Sequence, residues 1–160
     1  MNARTFKTLL NLYPPYIGAG IRVRHIASDY SKINVEMKLR FFNRNYMGTH
    51  FGGSLYAMID PFYALMLIKK LGPGYAVWDK SAAINFIKPG TGTVRADFSI
   101  DEQTIEHIKD KTSAGEKYCP DFSLDIFNQQ DQVVAKAVKT LYIRKKKQRR
   151  NKNAFKPEKQ

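Results

Sequence analysis

Cysteine is almost missing from this sequence: Cys119 stands alone among 160 residues, so no intrachain disulfide can form and no oxidising compartment is implied. It precedes Pro120 at the start of an expected strand, with no acidic or histidine neighbour in sequence, and reads as a structural thiol. Histidine is sparse and scattered, at His25, His50 and His107, with none of the spacings a zinc site needs. A glycine-rich phosphate loop of the nucleotide-hydrolase kind is absent too. Neither a metal nor a resident cofactor is expected.

Long hydrophobic runs are also lacking. The longest apolar stretch, residues 51–71, is interrupted by Gly52, Gly53, Asp60, Pro61, Lys69 and Lys70, so it reads as a core helix and not as a membrane span. Residues 1–16 hold too short an apolar segment for a secretory leader and no small-residue cleavage pattern. A soluble, cytoplasmic protein is the expectation.

Acidic residues are few, 14 against 27 lysines and arginines, for a formal charge of +13. The excess is uneven. Nine of the basic residues and one acidic residue lie in the last 17 positions, which leaves 18 against 13, or +5, for residues 1–143. The chain divides into one domain, residues 1–145, and a basic tail, residues 146–160, expected to be a solvated, disordered extension. A like-charge run of this kind can instead collect polyanions. Base rates favour the solvated reading, and nucleic acid is not the expected partner.

What is present is a core. A hydrophobic fraction of 43% with 12% aromatics suits one packed domain. Phe6, Leu9, Leu10 and Tyr13 recur at helical spacing over residues 5–13, and Pro14-Pro15 stops that helix. A short strand, residues 21–24, follows Gly18 and Gly20. Residues 31–41 then alternate Ile33, Val35, Met37, Leu39 and Phe41 with polar side chains, a strand with one dry and one wet face. The apolar helix from Phe51 ends at Leu71-Gly72-Pro73-Gly74. Strands are expected over residues 81–88, 93–100, 122–127 and 133–143, with a short helix over 102–111 that turns Ile105 and Ile108 inward. Trp78-Asp79-Lys80 precedes the first of these strands. A helix apolar almost all round must be buried on most sides. The solution is an α+β fold in which a curved antiparallel sheet wraps around a long central helix. Covering the rest of the helix and the sheet edges calls for a second copy.

Chemistry concentrates in residues 45–60. Two glycines at a helix start let another group approach the backbone, and the unpaired amides there can polarise a carbonyl oxygen. Seven residues on from Gly53 stands the carboxylate of Asp60, and Gly53, Tyr56, Asp60, Tyr63 and Leu67 share one stripe of a continuous helix. An acid on so apolar a helix has a hidden partner or a function. Asp60 also precedes Pro61, and Asp-Pro is how a helix cap followed by a first turn reads, so capping weighs at least equally with catalysis.

The spacing of Asn45, Gly48, Gly52-Gly53 and Asp60, followed by residues 84–90, INFIKPG, resembles the hotdog acyl-CoA thioesterases of the phenylacetate-degradation type. The stretches NLYPPYIGAGIRV, NRNYMGTHFGGSLYAMIDPFY, VWDK and KTLYIR are nearer still to a little-characterised bacterial branch, and the resemblance runs over about residues 9–145. It implies a hotdog fold, a homodimer or homotetramer, and hydrolysis of an acyl-CoA or acyl-carrier thioester to free acid and thiol. It assigns Asp60 as general base or nucleophile and Gly53 as the backbone donor to the thioester carbonyl. Asn45 becomes the loop amide that orients water or substrate across the dimer interface. His50, Gly52, Tyr56 and Tyr63 are the expected substrate-binding residues. The sequence departs from the pattern at Phe51, where many relatives have histidine; its histidine is one place earlier, at His50. Two rival readings stand beside hydrolysis: a module that binds an acyl thioester without cleaving it, and polyanion binding through the tail.

Overall fold

The computed structural model describes residues 1–147. The expectation of a disordered, polyanion-binding tail falls, from residue 148 on, outside the described residues.

Among these residues are five α-helices, one short 3-10 turn and seven strands. Helix α1, Ala3–Asn11, starts where Asn2 accepts a hydrogen bond from the Thr5 amide, and it buries Phe6. Pro14 and Pro15 stop α1 but also open a second helix, α2, Pro14–Ala19, since a first turn has no use for their missing amide hydrogens. Gly20 ends α2 at φ +77°, and a Cβ there would lie 2.6 Å from Asn43 Nδ2, so only glycine fits.

The strands β1, Ile21–Ile26, and β2, Lys32–Lys38, pair antiparallel, with Ile33, Val35 and Met37 fully buried on the dry face. β2 ends three residues earlier than its alternation suggested. Phe41–Asn43 form the 3-10 turn, because Asn43 accepts from the Arg40 amide and donates to the carbonyls of Ala19 and Lys38.

The expected central helix is interrupted. α3, Gly52–Ala57, gives way to a turn in which the Ile59 and Asp60 amides bond three residues back, and α4, Phe62–Leu71, starts afresh. Pro61 has no amide hydrogen to carry the ladder through. The stripe of Gly53, Tyr56, Asp60, Tyr63 and Leu67 therefore does not survive as one helical face. The rod is buried all the same: Met58, Ile59, Phe62, Met66 and Leu67 are fully enclosed, and Phe62 packs between Tyr16 and Phe98.

Strand β3, Tyr75–Phe86, begins earlier than residue 81, so Trp78, Asp79 and Lys80 lie inside it. Its dyad pattern is blurred because it is an edge strand that buries Val77 alone, and because a bulge between Asp79 and Ser81 shifts its register. β4, Thr93–Ser99, α5, Glu102–Lys111, β5, Lys117–Tyr118, β6, Asp121–Phe127, and β7, Val133–Lys145, complete the domain. The order across the sheet is β1-β2-β4-β6-β7-β3, antiparallel throughout, with β5 also on β7. Cys119 and Pro120 separate β5 from β6, two segments that both register on β7. The sheet curls around α3 and α4 with Val94, Ala96, Phe98, Ile126, Ala137, Leu141 and Ile143 turned to them. This is the hotdog architecture.

Candidate active site

Asp60 sits at the break in the central rod, and three elements hold it there. The Tyr16 hydroxyl of α2 donates to its backbone carbonyl at 2.6 Å. From β7, Lys139 Nζ donates to its Oδ1 at 2.6 Å, and the same ammonium meets Asp79 Oδ1 of β3 at 2.8 Å. The Asp60 side chain is 48% exposed and that of Lys139 only 2%. The residue preceding α4 is Pro61, with no side-chain bond to the helix, so Asp60 does not cap it. Its carboxylate is engaged by a lysine 79 positions away and not by the backbone of the helix that follows it.

Lys139 is the residue that sequence reasoning missed. β7 turns Ala135, Ala137, Leu141 and Ile143 inward, and Lys139 falls in that phase. A lone lysine in the dry register of a strand was the available signal. Burial works against its charge, but the Asp60 and Asp79 carboxylates outweigh that and hold its pKa above the ordinary lysine value. The Tyr16 phenol is pushed up, first by burial and then by the charges of Asp60 and Asp79, so it stays a donor.

The second group of residues is a corner at the start of α3. Asn45 cinches its own loop: its side chain donates to Thr49 Oγ1 at 2.9 Å and to the His50 carbonyl at 3.2 Å, and accepts from the Thr49 amide at 3.0 Å. The Ser54 and Leu55 amides both return to the Phe51 carbonyl. Among the described residues the Gly52 and Gly53 amides make no hydrogen bond, as expected of a first helical turn. A Cβ on Gly53 would collide with the Phe51 ring, and one on Gly52 would lie 3.0 Å from Phe86 Cζ. Both glycines are closely approached by rings that are themselves exposed, Gly53 by Phe51 and Gly52 by Phe86.

His50 is 2% exposed. Its Nε2 lies 3.2 Å from the Gly92 carbonyl, and its Nδ1 has no partner among the described residues. A carbonyl only accepts, so Nε2 carries the proton and Nδ1 presents a lone pair. Burial lowers the imidazole pKa, with the Gly92 carbonyl pulling the other way. Asn45, His50 and Gly52 line one open cavity of about 450 Å³ with Leu55, Phe86 and Lys88.

The other expected residues are dispersed. Asp60 is not among those that line this cavity. Tyr56 lies on the surface. Tyr63 is 4% exposed, stacked on Phe122 and edge-on to Phe98, with its hydroxyl donating to the Ser123 carbonyl at 3.2 Å. Burial pushes that phenol up to about 12. No cluster of three His, Cys, Asp or Glu side chains able to hold a metal occurs among the described residues, and no helix there is long and apolar enough to cross a membrane.

Within one chain, then, a carboxylate and a donor-lined cavity occupy separate stations along the same rod. Solved structures share this architecture. The protein PA5026 of Pseudomonas aeruginosa, of unknown function and described as a probable thioesterase, aligns with a TM-score of 0.77 at 16% identity, over 89% of this chain and 95% of that one. The thioesterase HI1161 of Haemophilus influenzae aligns at 0.66 and 15% identity, over 89% and 90%. OLEI01261 of Chlorobaculum tepidum, of unknown function, aligns at 0.72 and 17% identity, over 89% and 94%. A comparison with curated protein sequences finds no significant match. Residues 2–143 match a family described as a domain of unknown function, DUF4442. That match spans nearly the whole described chain, and with the sheet-wrapped rod it makes this protein a member of the DUF4442 family with a hotdog fold.

Proposed function

We propose that this protein hydrolyses acyl-CoA thioesters, with Asp60 as its base or nucleophile and the Gly53 amide, oriented beside the Asn45 loop, as donor to the thioester carbonyl. The observation that carries this reading is Asp60 itself. It is a half-exposed carboxylate on an otherwise apolar rod, fixed by a buried lysine and committed to no cap. The resemblance in sequence and the thioesterases among the structural neighbours support the same class.

In the base route, Asp60 takes a proton from water and the oxygen adds to the thioester carbonyl. The resulting oxyanion is met by the amide at the start of α3. Collapse breaks the C–S bond, and coenzyme A leaves as a thiolate that needs little help from an acid. In the nucleophile route the Asp60 carboxylate adds to the carbonyl and expels the coenzyme A thiolate as the C–S bond breaks, and water then cleaves the mixed anhydride to free acid and the regenerated carboxylate. No cofactor enters either sequence; the coenzyme is part of the substrate.

The proposed working form is an assembly of at least two copies. Strand β3 presents an unpaired edge over twelve residues, with Trp78, Phe86 and Ile87 exposed along or beside it. A second copy covering that edge could bring its own glycine corner to Asp60.

The test is thiol release from a panel of acetyl-, hexanoyl-, decanoyl- and phenylacetyl-CoA by wild type and Asp60→Asn. A base of this kind contributes about 10²- to 10⁴-fold, so the variant's rate should drop by that range. Equal rates in both proteins would refute the role of Asp60. Because Asp60 does not line the cavity within one chain, a second reading is kept, a module that binds acyl thioesters without cleaving them. Saturable binding of hexanoyl-CoA with no thiol released by wild type would establish it.

A further inference from the structure

Lys139 is the only buried lysine, arginine, aspartate or glutamate among the described residues. Its position on the inward face of β7, opposite Ala82 of β3 and Phe122 of β6, would suit an apolar side chain. Burying an ammonium there is unfavourable unless charge partners meet it. A structural ion pair would need one. This site has two, delivered from distant parts of the chain: Asp60 from the break in the rod and Asp79 from the bulge in β3.

The count matters. Two carboxylates share one ammonium, so the cluster keeps a net negative charge. The contact with Asp60 engages Oδ1 at 2.6 Å, and no hydrogen bond reaches Oδ2 among the described residues.

We propose that Lys139 is the positioning residue of the Asp60 site, anchoring Oδ1 so that Oδ2 faces the reacting water, with Asp79 sharing the ammonium and helping to hold it in place. This rests on the hydrolase reading of Asp60 and adds the control of that residue. Lys139 is too deeply enclosed to touch substrate, so its influence passes through Asp60. The other ionisable groups that hydrogen bonds, ring contacts or sequence place next to the cluster are Tyr16 of α2, which bonds the Asp60 carbonyl, Tyr13, edge-on to Tyr16, the exposed Lys80, which follows Asp79 on β3, and Asp121 on β6, which accepts from Thr140. Burial pushes the Tyr16 and Tyr63 phenols upward, away from the neutral range.

The experiment follows kcat and KM against pH on hexanoyl-CoA for wild type, Asp79→Asn, Lys139→Met and Lys139→Arg. In Asp79→Asn the ammonium belongs to Asp60 alone, and the acid limb of the kcat profile moves down by about one pH unit, with a lower plateau. In Lys139→Met two carboxylates face each other unneutralised; the acid limb moves up by about one unit and kcat at neutral pH falls at least tenfold. KM stays within twofold of wild type in both. Lys139→Arg returns the limb towards its original position, with kcat only partly restored because a planar fork replaces a point charge. Were the cluster only a structural pair, with Asp60 outside the reaction, the folded variants would keep the wild-type kcat profile. Should Lys139→Met fail to fold, Asp79→Asn, which leaves the lysine one partner, carries the test. Should wild type release no thiol, the hydrolase reading fails by itself. The Asp60 carboxyl carbon, followed by NMR titration in the same variants, then reads the coupling directly. An acid limb, or a titration midpoint, that does not move in Asp79→Asn overturns the proposal.

Discussion

The break at Asp60 and the corner at His50 lie on the same apolar rod but hold different kinds of chemistry. At the break there is charge with every ionic partner accounted for: two carboxylates, one enclosed ammonium and a tyrosine donating to the backbone. At the corner there is little charge and unspent hydrogen bonding: the Gly52 amide beside an open cavity, the Gly53 amide next to it in sequence but outside the cavity's lining, and a buried His50 Nδ1 with no partner among the described residues. The break has a half-exposed carboxylate beside an open cavity of about 780 Å³ lined by Pro61 and Asp79, and the corner has a cavity of its own but no carboxylate. The proposed thioester hydrolysis needs a base and a carbonyl donor together, and within one chain the two regions hold them apart.

The sharpest way to test that division is to mix chains. Asp60→Asn and Asn45→Ala should each lose about 10²- to 10⁴-fold in turnover when the lost group is catalytic. If Asp60 of one copy works with the corner of another, an equimolar, subunit-exchanged mixture holds hetero-assemblies with one intact site and should recover about a quarter of wild-type activity. A mixture no more active than either variant would place both regions in one chain.

A smaller effect is expected at Gly53. In Gly53→Ala the new methyl collides with the Phe51 ring, which is exposed and can swing aside. Stability should change by less than about 1 kcal/mol, since alanine suits a helix better than glycine. Turnover should fall about tenfold as the amide is covered. Thermal melting and kcat, read together, separate these.

Tyr63→Phe sharpens the contrast from the other side. It removes one hydrogen bond, to the Ser123 carbonyl, and should cost about 1 kcal/mol while leaving kcat and KM unchanged. A change in KM would return Tyr63 to the substrate's surroundings.

The smallest expected signal is the pH dependence set by His50. Its folded pKa is lowered by burial, so the unfolded chain takes up a proton more readily than the folded one. The stability this contributes is complete above the ordinary histidine value of about 6.5 and is lost as pH falls through the lowered folded value. The melting temperature should decline over that interval, and His50→Gln should flatten the decline.

Much of the fold was legible. Ile33, Val35 and Met37 alternate with polar neighbours, and a period of two on a half-buried strand can be read without coordinates. The apolar rod and the two glycines at its start were equally plain. β3 was harder: an edge strand with one buried residue and a bulge carries almost no periodic signal, so Trp78 and Asp79 looked like a lead-in to the strand. The candidate site was legible only by residue type. Asn45, His50 and Gly52 are neighbours in sequence, and the structure keeps them together around one cavity.

By itself, the sequence determined what is decided within a few residues: which faces are dry and where amides are left unpaired. Tertiary structure alone decided what Asp60 does with its charge. Cap and catalyst look alike as Asp-Pro, and the difference lies in a lysine 79 positions away. Burial of that ammonium makes sense only when two remote carboxylates converge on it, and such convergence comes from the sheet's register, not from local propensity.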